Sequence, residues 1–251
     1  MIEKINIALV SYLNTLPFLY GIQKDEALMS QVNLRLEYPS KCADLLKSGD
    51  VSLSLVPVVE IPNIPNSQII GDYCIGSVGK VNTVMLYSNS PIDKIQSIAL
   101  DYQSRTSIIL VKVLAKNFWN IDVQYEETSE GYINSISGTT AGVVIGDRTF
   151  DLDDAFAYKY DLSEEWEKFT GLPFVFACWV ATKPLSEAFN KQFNSALECG
   201  LNQKKSAIEE FSNSETNRMN LKEYLNENIS YPFDLHKKEA LKKFLSLAQT
   251  V

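Results

Sequence analysis

Histidine is almost missing from this chain: His236 is the only one in 251 residues. A Ser-His-Asp or Cys-His relay would have to pass through it, yet it opens an amphipathic C-terminal segment that reads as scaffold. Cysteine is scarce too. The four residues, Cys42, Cys74, Cys178 and Cys199, have none of the spacings of a zinc knuckle or a redox dithiol. They read as buried free thiols, and with a single histidine they cannot assemble a zinc centre. The acidic pairs Asp153-Asp154 and Glu126-Glu127 are formal magnesium ligands, but on so acidic a chain they read as solvated loops. No metal site is expected.

Cofactor signatures are missing as well. Gly79-Lys80 resembles the end of a phosphate loop, but that loop needs glycine at 74 and Ser or Thr at 81, where Cys74 and Val81 stand. No G-x-G-x-x-G follows a strand. No run approaches the ~18 apolar residues of a membrane span. The opening Met1-Ile2-Glu3-Lys4 and the short run Ile5–Val10 lack the basic region and long apolar stretch of a secretory signal. A cytoplasmic protein without a membrane partner is expected. Basic residues are in deficit, 23 against 31 acids for a net charge of −8, which argues against nucleic acid as a partner.

What the chain does have is ordinary globular composition, 45% hydrophobic and 11% aromatic, at a length that suits one or two domains. Strand-like runs at Ile5–Val10, 32–38, 51–56, 67–76, 83–88, 95–101, 122–125, 141–145 and 176–182 alternate with helical stretches at 41–48, 108–119, 130–137, 184–202 and 234–249. From about 183 onward the chain reads as helical to its end. The alternation predicts an α/β protein of two lobes, 1–86 with 180–251 and an inserted 87–179. Two crossing strands near 84–88 and 177–182 would join them, and ligands favour the cleft between such lobes.

Small polar residues gather where strands end and helices begin: Asn14, Ser40, Thr83, Ser104-Arg105-Thr106-Ser107 and Gly146-Asp147. Helix N-termini present unpaired N–H groups and a partial positive charge that hold carboxylates well. With Lys41 and Arg105 nearby, two such termini suit a small dianion despite the net charge, because salt screens distant charge beyond about 8 Å. Each residue also has a plainer reading. Ser40 suits a helix cap with Gly49 as its stop, Ser104 and Thr106 suit a turn and cap, and Asp147 suits a bond to its own loop. Asn14 is harder to explain away, since an amide beside a buried strand needs partners. Trp166, Trp179, Phe174 and Phe176 read as core or as cleft wall.

Five strings occur in one order: Ser11-Tyr12-Leu13-Asn14-Thr15-Leu16-Pro17; Pro39-Ser40 with Gly49-Asp50; Asp101 with Ser104-Arg105-Thr106-Ser107; Ile145-Gly146-Asp147; and Thr170-Gly171-Leu172-Pro173-Phe174-Val175-Phe176-Ala177. Together, over residues 5–180, they resemble the chorismate dehydratases of the futalosine route to menaquinone. The resemblance implies a type II periplasmic-binding-protein-like fold and a cofactor-free hydro-lyase that turns chorismate, a dicarboxylate, into 3-[(1-carboxyvinyl)oxy]benzoate and water. It implies Asn14 and Thr83 as catalytic residues, with Thr at 83 where the family has Ser. Ser40, Ser104, Arg105, Thr106, Ser107, Gly146 and Asp147 are then the expected substrate-binding residues. Family accounts have the substrate's own enolpyruvyl carboxylate take the ring proton, which fits a chain with no well-placed histidine.

Three other readings remain: a carboxylate-binding protein that only captures its ligand, the related enzyme that forms dihydroxynaphthoate later in the same pathway, and a regulatory effector domain. The second family carries a mid-chain histidine that this chain lacks, and no DNA-binding segment precedes Ile5 to support the third.

Overall fold

A computed structural model of the chain describes residues 4–152, 154–211 and 221–251. Met1-Ile2-Glu3 and Asp153 of the Asp153-Asp154 pair lie outside them. In chain order the elements begin with β1 (Ile5–Val10), α1 (Leu16–Lys24), α2 (Glu26–Gln31), β2 (Val32–Glu37), α3 (Pro39–Ser48), β3 (Leu53–Pro57), β4 (Gln68–Ser77) and β5 (Val84–Ser88). Next come β6 (Ser97–Leu100), α4 (Thr106–Leu114), β7 (Gln124–Glu127), β8 (Thr140–Ile145), β9 (Tyr158–Asp161), α5 (Leu162–Thr170) and β10 (Phe174–Ala181). The chain continues with α6 (Glu187–Asn202), α7 (Lys204–Phe211), α8 (Leu221–Glu223), β11 (Ser230–Pro232) and α9 (Leu235–Ala248). Every expected strand is present to within a few residues, and the α/β class holds.

Two compact units divide the chain: 1–75 with 177–233, and 76–176 with 234–251. This departs from the expected division at 86 and 180. The first passage falls near the end of β4 because β5 is hydrogen-bonded on both edges within the second unit, to β8 and to β9. The C-terminal helix α9, expected in the first lobe, belongs to the second. Its Phe244 ring lies 5.0 Å from Phe174 and 5.9 Å from Trp166, so its apolar face is covered there.

The first unit is built on a six-stranded sheet of order β11-β4-β10-β3-β1-β2. β1 runs parallel to β2 and β3, and β10 runs antiparallel to β3. Central β1 is fully buried from Ile7 to Leu9, as a continuous apolar run should be. β2 lies at the edge, and its Leu36 is 45% exposed. The loop expected after β1 continues into α1, with Pro17 in the first turn. Helices α1 and α6 meet backbone to backbone. A Cβ on Gly200 would lie 1.8 Å from the Pro17 carbonyl oxygen, and one on Gly21 1.9 Å from that of Ala196. Helix α3 starts at Pro39 with Tyr38 in the cap position, so Ser40 lies inside the first turn and is not the cap. Gly49 ends α3 in the left-handed conformation, as expected. The C-terminal stretch is not wholly helical, since β11 adds an edge strand to this sheet.

The second unit holds a five-stranded sheet of order β7-β6-β8-β5-β9, with β6 parallel to β7 and β8. The helix expected over 108–119 is α4 followed by a π-turn, Ala115–Trp119, that ends at Asn120 in the left-handed region. The helix expected over 130–137 is only a 3-10 turn, Tyr132–Ser135. Gly131 enters it at φ +87°, and the Tyr132 hydroxyl bonds the Val143 carbonyl of β8, which pins the turn against the sheet.

Candidate functional site

In the first unit, Asn14 sits in a 3-10 turn, Leu13–Thr15, between the buried end of β1 and the start of α1. Thr15 locks the turn by donating its hydroxyl to the carbonyls of Val10 (2.6 Å) and Tyr12 (2.8 Å). The Asn14 carbonyl accepts a hydrogen bond from the Tyr231 hydroxyl at 2.9 Å. Tyr231 is buried, its ring edge-on to Phe18 at 5.3 Å, and burial holds its phenol well above 10.0. It is therefore a neutral donor at any physiological pH. The backbone of Asn14 is thus tied down, while its side-chain Oδ1 is buried without a hydrogen-bond partner. A buried amide oxygen left unpaired costs about 1–3 kcal/mol, so its place in the fold calls for an explanation, of which a catalytic role is one. Ser40, in the same unit, is 6% exposed in the first turn of α3.

In the second unit, two buried carboxylates organise the remaining expected residues. Asp161 is 4% exposed and accepts four backbone hydrogen bonds. Its Oδ2 takes the N–H groups of Val81 (2.9 Å) and Asn82 (2.7 Å), and its Oδ1 takes those of Ser163 (3.0 Å) and Glu164 (3.2 Å). Burial pushes this carboxyl above the ordinary 3.8, against the pull of the four N–H donors. Thr83 follows directly, 2% exposed, at the entry to β5. Its carbonyl accepts from Gly146 N–H at 2.9 Å, which places the 83 and 146 backbones side by side.

The second carboxylate, Asp101, is fully buried at the end of β6. Its Oδ1 accepts from Gln103 N–H (2.9 Å), and its Oδ2 from Ile145 N–H (2.9 Å) and Arg148 Nη2 (2.6 Å). The turn leading to α4 and the turn leaving β8 are therefore fastened to one side chain. The Arg148 guanidinium also lies over the Tyr102 ring, 5.6 Å from its centroid. At the start of α4, Ser104 Oγ accepts from Ser107 N–H (3.1 Å), and the Thr106 hydroxyl donates to the Phe176 carbonyl (3.1 Å). The turn-and-cap reading thus suits Ser104, whose Oγ takes an N–H of the first turn, but not Thr106, which is the first residue of α4 and sends its hydroxyl to Phe176. Gly146, at φ +67°, opens the 3-10 turn Gly146–Thr149 that carries Asp147.

In the second unit Thr83 and Gly146 share a backbone bond, Asp101 ties Ile145 to the Ser104 turn, and Ser104 holds Ser107; the first unit holds Asn14 and Ser40. His236 is exposed at the start of α9 and takes part in none of these bonds. Among the described residues no group of three or more His, Cys, Asp or Glu side chains converges as a metal site, and no helix is long and apolar enough to cross a membrane. Asp161, Arg148 and Tyr231 went unrecognised in the sequence. Asp161 carried a signal, an acidic residue three positions before Glu164 at a helix start. Arg148 and Tyr231 carried none.

The family model described as menaquinone biosynthesis matches residues 5–250, nearly the whole chain. The chain belongs to the menaquinone-biosynthesis family. A relative from Thermus thermophilus, a chorismate dehydratase, is 26% identical over 221 residues, which cover 80% of this chain and 79% of that one. Among solved structures, a protein of Archaeoglobus fulgidus matches with a TM-score of 0.76 at 16% identity, covering 98% of this chain and 97% of its own. A Candida albicans gene product, described as having the generic periplasmic binding protein fold, matches with a TM-score of 0.64 at 14% identity, over 99% and 91% of the two chains. The aliphatic sulphonate binding protein SsuA of Escherichia coli matches with a TM-score of 0.60 at 14% identity, over the same shares. At these identities the likeness speaks for fold alone. This menaquinone-biosynthesis family member has the periplasmic-binding-protein-like fold.

Proposed function

We propose that this member of the family is a chorismate dehydratase, a hydro-lyase that converts chorismate to 3-[(1-carboxyvinyl)oxy]benzoate and water without a cofactor. The observation that carries the reading is the buried, unpartnered Oδ1 of Asn14 on a backbone held from two sides, in a chain similar over four-fifths of its length to a protein of that name. The ring carbon that bears the enol ether loses its proton to the substrate's own enolpyruvyl carboxylate, the neighbouring C–O bond breaks as its hydroxyl takes up that proton and leaves as water, and the electron pair closes an aromatic ring. Aromatisation supplies the driving force, so the protein's task is placement and hydrogen bonding.

In this reading Asn14 orients the substrate at the leaving hydroxyl, its Oδ1 accepting a hydrogen bond from that O–H, and Thr83 supplies a second hydroxyl contact. Carboxylates are received by Ser40 in the first turn of α3 and by the start of α4, where Ser104, Arg105, Thr106 and Ser107 stand. Because the Thr106 hydroxyl donates to Phe176, its share is its backbone N–H. Gly146 and Asp147 form the floor beside Thr83. The enolpyruvyl carboxylate serves as the proton acceptor, which assigns no side chain to that step.

Incubating the purified chain with chorismate tests the proposal. Growth of an aromatic absorbance with loss of the diene band over many turnovers is expected. Asn14→Ala should lower kcat by roughly 10²–10³-fold, the loss typical of a positioned hydrogen-bonding group. Binding of chorismate with no product would leave a capture protein instead and remove the enzyme reading.

A further inference from the structure

We propose that Asp161 is the positioning residue for Thr83: one buried carboxylate sets the approach to β5 and the start of α5 together, and so holds the Thr83 hydroxyl where the reaction uses it. This deepens the dehydratase reading and rests on it. The two oxygens of Asp161 divide their work. Oδ1 caps α5 through Ser163 and Glu164 N–H, and Oδ2 takes the adjacent N–H groups of Val81 and Asn82. Two successive N–H groups converge on one acceptor only when the chain turns sharply, and Asn82 does so at φ +61°, a left-handed conformation that costs a non-glycine residue free energy.

Without an acceptor at that point, Val81 and Asn82 would leave two unpaired donors beside a buried strand, and the turn would relax. Thr83 is the next residue and is itself 2% exposed. Any relaxation of Asn82 therefore reaches the Thr83 side chain directly. The neighbouring bond between Ser77 and Ser163 hydroxyls (2.6 Å, buried) fixes the other end of the same segment to α5. The 77–83 segment is thus clamped at both ends by residues 161–163.

A capping argument separates positioning from mere stability. Asp161→Ser keeps one oxygen for Ser163 and Glu164, since serine caps helices as well as aspartate, and leaves none for Val81 and Asn82. In Asp161→Asn the amide NH2 must face one of the two donor pairs. For D161S the expected result is a folded protein whose kcat on chorismate falls about 10- to 100-fold, as for a misplaced contact group, with KM changed by less than about threefold. In a Thr83→Ala background the same substitution should cost little more. Full multiplication of the D161S and T83A losses, or an unchanged kcat in D161S, overturns the proposal.

Amide hydrogen exchange gives an answer free of activity. The Val81 and Asn82 amides should lose protection in D161S while Met85–Tyr87 of β5 keep theirs, and equal protection at 81 and 82 overturns the anchoring. D161N, measured the same way, decides the matter if D161S does not fold. A wild-type chain that leaves chorismate intact removes the dehydratase reading and the kinetic claim with it, whereas the exchange result judges the clamp on its own.

Discussion

The Tyr231 hydroxyl donates to the Asn14 carbonyl across 2.9 Å, from a position 217 residues further along the chain. The late, short strand β11 thereby steadies the first loop. Replacing Tyr231 by Phe removes one hydrogen bond without opening a cavity. The expected cost is about 1 kcal/mol of stability, read by denaturant unfolding, together with a several-fold fall in chorismate turnover. A variant with lowered stability and unaltered turnover would show that Asn14 holds its place without this bond.

Asp101 and Arg148 form a pair in which the carboxylate is fully buried and the guanidinium about a quarter exposed. Removing the arginine leaves a buried charge served by two backbone N–H groups. Arg148→Met should cost about 2–4 kcal/mol near neutral pH, measured by urea unfolding. The double variant with Asp101→Asn should recover part of that loss, because the uncompensated charge is gone.

Gly200 tolerates no side chain. A methyl there would meet the Pro17 carbonyl at 1.8 Å, and the neighbouring atoms are backbone that cannot swing aside. Gly200→Ala should cost at least 1–3 kcal/mol and lower turnover as well, since α1 begins two residues after Asn14. Thermal unfolding and a chorismate assay on one preparation test both effects.

Thiol chemistry should separate one cysteine from three. Cys42, Cys74 and Cys178 are buried and Cys199 is partly exposed. Burial pushes the Cys42 thiol from 9.0 up to about 12. The sign follows from the thiolate being the reactive form: at pH 9 Cys42 stays protonated and inert. An aromatic disulfide reagent should label one thiol per native chain and four after denaturation. Rapid native labelling of a second thiol would contradict the packing.

Most of the architecture was legible because local signals agreed with it. The apolar run of β1 and the Gly49 stop of α3 are written in neighbouring residues. The errors arose where tertiary contacts decide. Nothing local says that Phe244 finds Trp166 and Phe174, so the sequence alone puts α9 with the first unit and the packing puts it with the second. The segment over 130–137 packs Tyr132 and Ile136 into the core of the second unit, but the left-handed Gly131 and the bond from Tyr132 to Val143 hold it as a turn instead of a helix. At the site, strand ends and helix starts located Asn14, Thr83 and the 104–107 turn. The side chains that hold them, Asp161 and Tyr231, reach from distant segments, and spacing in one sequence cannot reveal such partners.

The strand order of the two sheets also sets a timetable for synthesis. β4 has only β10 and β11 as neighbours, so residues 68–77 emerge from the ribosome about a hundred residues before any strand exists to receive them. The second sheet, drawn entirely from 84–161, has all its partners in hand first. Non-local pairing is slow and leaves edges open. The nascent chain therefore has every strand of its middle sheet before the first sheet can close, and in that interval β4 waits without its neighbours.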